Sequence, residues 1–358
     1  CHTANPTKFL AGGVPFPIPI PSGMVQGRNL TPDPVTGMKL SEAQFLEVMR
    51  AGADFLNSGQ GLIVHPWQSE RWTAVADFKA VYAYLRAIPA IVNQIPADVK
   101  PPVTQSAFPA NYNEGEITRD LPPESPDPDH VLRGLAMLPL NIPEPADAQN
   151  AALFGRGSYI VNGPAACSAC HTNPERNFAS ANLTINAAQY LAGGTIFPID
   201  PAVQPIFRMT RAMTGNLTGA THGFFAQPGV TFQTFLITMM QGVAGDEPPP
   251  RRPLAPIMPS HIYRNMTLGD LQAVYTYLKW IATTAPRSGA NDKPTQTPTR
   301  YCTQLSDCVK PGEACNTTLH ECAGTSCVTA KDCDACQTCT GSVCTVPASN
   351  SPCLTTGL

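Results

Sequence analysis

Charge is scarce in this sequence: Lys, Arg, Asp and Glu make up 14% of the 358 residues, against a usual ~25%, and the net charge is only −3. Those figures exclude a basic nucleic-acid surface and a charged disordered tail. Long apolar runs are lacking too. No stretch reaches the ~18 residues of a membrane-spanning helix, which leaves membrane-surface association as the only membrane contact expected. The chain does not open on the basic, apolar and small succession of a secretory leader, so any such signal is expected to have been removed already.

Proline is abundant instead, at 38 residues or about twice its ~5% average, which favours long irregular segments between short elements. The thirteen cysteines are unevenly placed. Ten lie between Cys302 and Cys353 in a stretch poor in large apolar residues, as expected of a small disulfide-held module in an oxidising compartment. The other three, Cys1, Cys167 and Cys170, stand beside histidines.

Residues 167 to 171 read Cys-Ser-Ala-Cys-His. This is the C-x-x-C-H pattern of c-type haem attachment, in which two thiols form thioethers and the histidine ligates iron; a redox or zinc cysteine pair is the alternative. A second copy of the surroundings favours haem. Cys1-His2-Thr3 matches Cys170-His171-Thr172, Leu10 to Gly13 matches Leu191 to Gly194, and Asn29-Leu30-Thr31 matches Asn216-Leu217-Thr218. Phe45, Leu46 and Met49 then match Phe235, Leu236 and Met239, and His65 to Arg86 aligns without a gap on Met258 to Lys279. Within these blocks Ser41 and Gln44 predict a capping box before a short helix. Asp77 and Asp270 are expected at helix N-termini, where a carboxylate caps free amides. Phe78, Val81, Tyr82 and Leu85, like Leu271, Val274, Tyr275 and Leu278, have the i, i+3, i+4, i+7 spacing of a buried helical stripe.

Taken in order, the blocks resemble class I cytochrome c domains, and specifically those of the multi-haem cytochrome subunits serving membrane-bound alcohol, gluconate and aldehyde dehydrogenases. The resemblance covers roughly residues 1–95 and 151–286. It implies a mainly α fold of two tandem cytochrome c domains, 1–95 and 151–286, separated by a Pro-rich linker, 96–150, and followed by a second linker, 287–300. A small irregular disulfide-rich module, 301–358, completes the chain.

The resemblance also implies two covalently bound haem c groups. For the second, Cys167 and Cys170 are the attachment residues, His171 the proximal ligand and Met258 the distal one, with His261 as competitor. In the first domain Cys1 and His2 fill the attachment and proximal positions, but His65 stands where the methionine belongs. Imidazole is a good iron ligand, so ligation by both His2 and His65 is expected, with Met24, Met38 or an open position as alternatives. The cysteine expected three residues before Cys1 is absent. A late start of the sequence, a single thioether and a lipidated Cys1 would each account for that, and the late start is favoured because Cys1 fills the repeat position of Cys170. A helix like 151–160 is likewise expected to cover the Val81, Tyr82 and Leu85 face, supplied from outside these residues. His130, His222 and His320 lie outside the matched blocks and read as structural or solvated. Arg251 and Arg252 suit either haem propionates or a solvated turn.

In the tail, Cys302-x5-Cys308 recurs as Cys327-x5-Cys333. Cys333, Cys336 and Cys339 have iron–sulfur spacing, but Cys344 lacks the spacing and following proline that would complete it. Five disulfides are expected, with connectivity open. The function expected is one-electron transfer in the periplasm or at the cell surface, rather than enzymatic catalysis. The partners are redox protein donors and acceptors, or like molecules in a homo-oligomer or filament. A di-haem peroxidase and an adhesion or docking protein working through the tail are the rivals.

Overall fold

The computed structural model describes all residues except 1, 6, 18–22, 56–60, 63, 100–119, 140–141, 174–184, 200–203, 222, 248, 288–298, 309–311, 319, 325–337 and 346–358. Cys1, His222, Cys327, Cys333, Cys336 and Cys353 therefore lie outside the described residues. The structure is helix-rich, with short strands only, in keeping with the expected mainly α class. It separates into one unit of residues 1–138 and 159–166 and another of 139–158 and 167–357.

The first unit begins with a two-stranded antiparallel ribbon, β1 (Pro15–Pro17) and β2 (Met24–Gln26), and continues through α1 (Glu42–Ala51), α2 (Trp67–Glu70), α3 (Val75–Ala87) and α4 (His130–Ala136). The expected capping box starts α1: the Gln44 N–H donates to Ser41 Oγ at 3.2 Å and the Ser41 N–H to Gln44 Oε1 at 2.9 Å. Gly52 stops the helix at φ +64°, and a Cβ there would sit 2.2 Å from the wholly buried Trp67 ring. Glycine is thus required twice over, for its backbone and for the indole beneath it. Met38, Phe45, Phe78 and Leu85 form the core between α1 and α3. This places Met38 in apolar packing.

The start of α3 differs from the capping expected of Asp77. Its N-cap, Ala74, has no side-chain acceptor; the Ala74 N–H donates to the Tyr159 hydroxyl at 3.1 Å and the Val75 N–H to Glu124 at 2.9 Å. The Asp77 carboxylate accepts instead from Tyr159 and, at 2.9 Å, from His130. His130 is accordingly structural, and α4 gives the proline-rich stretch an ordered helix anchored by the buried Arg133.

The second unit takes in the first part of α5 (Ala148–Asn162), then α6 (Cys167–His171), β3 (Ile196–Pro198), α7 (Gln204–Phe207), β4 (Met209–Met213), α8 (Phe232–Gln241), α9 (Ser260–Tyr263) and α10 (Leu268–Thr284). Gly157 brings α5 onto α10: a Cβ on it would lie 2.1 Å from the Ala273 carbonyl oxygen and 2.6 Å from Tyr277 Cβ. Phe154 packs on Tyr277 with ring centroids 5.0 Å apart. Two faces of α10 are therefore buried, the expected Leu271, Val274 and Leu278 stripe and a second one through Ala273 and Tyr277. On α3 the repeat partners of Val274 and Tyr277, Val81 and Tyr84, are 46% and 53% exposed. The helix expected over α3 is not among the described residues, and the face that lacks cover runs through Ala80, Val81 and Tyr84, since Leu85 is buried in the core.

β5 (Thr299–Arg300) adds to β4 to complete a three-stranded sheet. It is followed by two hairpins, β6 (Ala314–Asn316) with β7 (Glu321–Ala323) and β8 (Thr338–Thr340) with β9 (Val343–Thr345). Disulfides join Cys302 to Cys315 and Cys308 to Cys322, and Cys339 and Cys344 are disulfide-bonded as well. Buried Glu321 receives hydrogen bonds from Thr210, at 2.9 Å, and from Arg211, while Arg300 pairs with buried Glu313. Charges removed from water persist only when paired in this way; Glu321 ties this part of the tail to the β4 strand, whereas the Cys302–Cys315 and Cys308–Cys322 bridges lie within the tail itself.

Candidate functional site

Each candidate site is built on a histidine whose ring is turned by a backbone carbonyl. His2 donates from Nδ1 to the Arg28 oxygen at 2.8 Å, and His171 donates from Nδ1 to the Gly215 oxygen at 2.9 Å. Because a carbonyl only accepts, Nδ1 carries the hydrogen in both rings and Nε2 keeps its lone pair for a metal. A carbonyl partner of this kind fixes the tautomer and orientation of a ligating imidazole. Burial lowers the pKa of both histidines, opposed by the same carbonyl bonds, and holds them in the neutral form that binds metal.

The repeated sequence blocks explain how the carbonyls come to be there. The Gly12 N–H donates to the His2 oxygen at 2.8 Å, and the Gly193 N–H to the His171 oxygen at 2.6 Å. Thr3 Oγ1 accepts from the Leu10 N–H, and Thr172 Oγ1 from the Leu191 N–H, each at 3.0 Å. Leu10 and Leu191 themselves take positive φ, 57° and 56°. The glycine that follows then lies against the carbonyl segment: a Cβ on Gly12 would meet the Gly27 oxygen at 2.5 Å and the Arg28 carbonyl carbon at 2.6 Å, and one on Gly193 would meet Gly215 and Thr214 at 2.5 Å. Just beyond, Asn29 Oδ1 accepts from the Thr31 N–H at 3.0 Å, and Asn216 Oδ1 from the Thr218 N–H at 2.9 Å, closing the same turn twice.

In the second unit α6 carries Cys167, Cys170 and His171 at i, i+3 and i+4, which puts them on one helical face. Neither cysteine is in a disulfide. Burial, with the neighbouring Cys170, pushes the Cys167 thiol up to about 12, so its sulfur is a protonated thiol at neutral pH. Two thiols and an imidazole so arranged are the donor set that attachment of haem c needs. Met258 is half-buried on the loop ahead of α9, whereas its competitor His261 is exposed on α9 itself. Arg252 pairs with Glu247 at 3.0 Å, while Arg251 Nε is buried with no hydrogen-bond partner among the described residues.

In the first unit His65 lies half-buried just before α2. Burial, with a smaller contribution from His2, depresses its pKa to about 4. Burial raises Glu70, at the end of α2, to about 7. Glu70 was not singled out by the sequence; its carboxylate faces His65, with Oε2 3.8 Å from Nδ1. Met24, the other methionine considered for this site, is in β2. His320 donates to the Cys302 oxygen at 3.1 Å and stacks on Tyr301, a structural role within the tail.

No family model matches the chain. It is 32% identical over 199 residues to a nicotinate dehydrogenase subunit of Pseudomonas putida, covering 55% of this chain and 14% of that protein. With the cytochrome c subunit of the quinone-dependent alcohol dehydrogenase of Gluconacetobacter polyoxogenes it shares 32% identity over 213 residues, 58% of this chain and 40% of the relative. With the gluconate 2-dehydrogenase cytochrome c subunit of Pantoea cypripedii it shares 29% over 202 residues, 56% and 41% respectively. The matched part thus spans about two fifths of the two cytochrome subunits and far less of the first relative. These similarities support a cytochrome c family for the chain.

Proposed function

We propose that the chain is a two-haem c-type cytochrome that passes single electrons between redox proteins outside the cytoplasm. The observation that carries the reading is the twofold occurrence of one arrangement, a buried histidine with Nδ1 bonded to a backbone carbonyl and Nε2 left for a metal, at His2 and at His171. Similarity to dehydrogenase cytochrome c subunits supports electron transfer and covalent haem c. Bound haem supplies a one-electron ferric/ferrous couple.

The chain's own residues set how that couple is held. Cys167 and Cys170 would fix one group through thioethers, and His171 and Met258 would ligate its iron. Cys1 would fix the second, with His2 and His65 as the residues that would ligate its iron. Domains 1–95 and 151–286 are the two haem-bearing parts. A candidate sixth ligand for each iron argues against a peroxidase, which needs an open position for peroxide. Among the described residues no helix is long and apolar enough to cross a membrane. The disulfides of 301–358 suit an oxidising compartment, periplasm or cell surface.

Intact mass and the pyridine haemochrome spectrum of the purified full chain test the reading. Two haems per chain that survive acid–acetone extraction are expected, falling to one in Cys167→Ser/Cys170→Ser. A wild type with one haem, or haem that is extracted, overturns it.

A further inference from the structure

We propose that Glu70 is the positioning residue of His65: its carboxyl accepts the Nδ1 hydrogen, presents Nε2 to the iron of the first haem and holds that haem at a low potential. The inference rests on the reading of His65 as distal ligand. Two independent observations carry it.

The first is geometric. Glu70 Oε2 stands 3.8 Å from His65 Nδ1, and each of these two atoms is buried with no hydrogen-bond partner among the described residues. A buried polar atom left unsatisfied is costly, so two complementary ones facing each other are stabilised by closing the last ångström to a normal ~2.9 Å bond. The intervening chain holds them in that relation. The Glu70 N–H donates to the Pro66 oxygen at 3.1 Å, and Trp67, between the two residues, is wholly buried with Nε1 bonded to the Leu62 oxygen at 3.3 Å. The Nδ1 edge of His65 therefore faces Glu70, which leaves Nε2 on the opposite edge of the ring.

The second observation is the repeat. The gapless block that sets Met258 opposite His65 keeps the proline, Pro66 and Pro259, and sets Tyr263 opposite Glu70. The carboxylate is present where the ligand is an imidazole with an N–H to donate, and gone where it is a thioether that has none. An acceptor on Nδ1 makes the imidazole more basic, which stabilises ferric over ferrous iron. Glu70 thus strengthens the difference that His65 itself creates between the two haems.

The experiment uses the haem-loaded full chain, as wild type, Glu70→Gln and Glu70→Leu, with spectroelectrochemical titration, ferric electron paramagnetic resonance and the His65 Nδ1–H proton resonance of the ferrous protein. In Glu70→Leu the lower-potential wave is expected to rise by about a tenfold change in the ferric/ferrous balance, about 59 mV for one electron. Gln, which keeps a carbonyl acceptor, should move it less, and the upper wave should stay in place in both. Should Glu70→Leu fail to fold, the near-isosteric Gln variant and the Nδ1–H resonance, which must shift between wild type and Gln, decide the matter. A wild type without a bis-histidine ferric signal overturns the ligand reading and this inference with it. A bis-histidine signal in every variant, with the lower wave and the Nδ1–H resonance unmoved, overturns the role of Glu70 alone.

Discussion

A Cβ on Gly193 would come 2.5 Å from the carbonyl carbon of Gly215, the residue whose oxygen turns the His171 ring. The glycine is thus a spacer for His171 as well as a bend in the chain. Its φ of +72° is one that an L side chain resists, at about 1–3 kcal/mol, and the collision with backbone adds to that. Gly193→Ala is expected to lower stability in guanidinium melts by at least that amount and to perturb the haem spectrum. A variant with wild-type melt and spectrum would show that the contact has no bearing on the ligand.

The two tyrosines at one repeat position give a second comparison. Tyr277 is wholly buried under Phe154 and shares a hydrogen bond of 2.8 Å with the Tyr190 hydroxyl, whereas Tyr84 is 53% exposed. Tyr277→Ala should cost about 3–5 kcal/mol, the range for truncating a buried large aromatic. Tyr84→Ala should stay within about 0.5 kcal/mol in this chain. Equal losses would mean that Tyr84 is covered in solution by something outside these residues.

What was legible in the sequence was whatever repeats locally. The order of His, Leu-Ala-Gly-Gly, Asn-x-Thr and the helix stripes located both candidate sites, because tight turns and helix faces demand particular residue types at fixed spacing. The Arg28 and Gly215 carbonyls were not legible, since every residue has one and only the fold selects which is used. Asp77 read as a cap because helix N-termini attract carboxylates, yet its partners Tyr159 and His130 are 82 and 53 residues away and leave no local pattern. The Ala273 and Tyr277 face of α10 went unseen for a related reason: a helix buried on two sides shows no single stripe. Glu70 leaves no local pattern either; only the fold sets its carboxylate opposite His65.

A pH dependence is expected in the tail. Asp307 accepts from the Thr303 N–H at 2.8 Å, and from Thr303 Oγ1, the Gln304 N–H and Arg208, which together hold its pKa down to about 2. A carboxyl lowered in the folded state binds its proton more readily unfolded, at ~3.9, so its contribution is complete above about pH 4 and lost as the pH falls toward 2. Asp307→Asn should melt below wild type at pH 6, with the gap narrowing below pH 4 and closing near pH 2. A gap that is absent at pH 6, or that persists unchanged at pH 2, would place the stabilisation elsewhere.

With the proposed ligands, replacement of a thioether by an imidazole at one position of the repeat should separate the two proposed haems in potential. Methionine sulfur stabilises ferrous haem relative to a second imidazole, so the group held by His171 and Met258 should have the higher potential and the one held by His2 and His65 the lower. Burial and nearby charge also shift potentials, and they differ between the sites, so ligand type has to be tested by exchange in place. His65→Met should raise the lower wave and draw the two together, and Met258→His should lower the upper one, each by more than the about 59 mV of a tenfold one-electron change. The near-infrared band of Met-ligated ferric haem should double in the first variant and vanish in the second. The first electron taken up would then sit on the haem of Cys167 and Cys170, and flow would run toward it from the His65 side where the outside donor and acceptor are arranged to match. A lower wave that responds to the Met258 variant would mean that the ligands are assigned to the wrong haems, and two waves that ignore both variants would mean that neither residue binds iron.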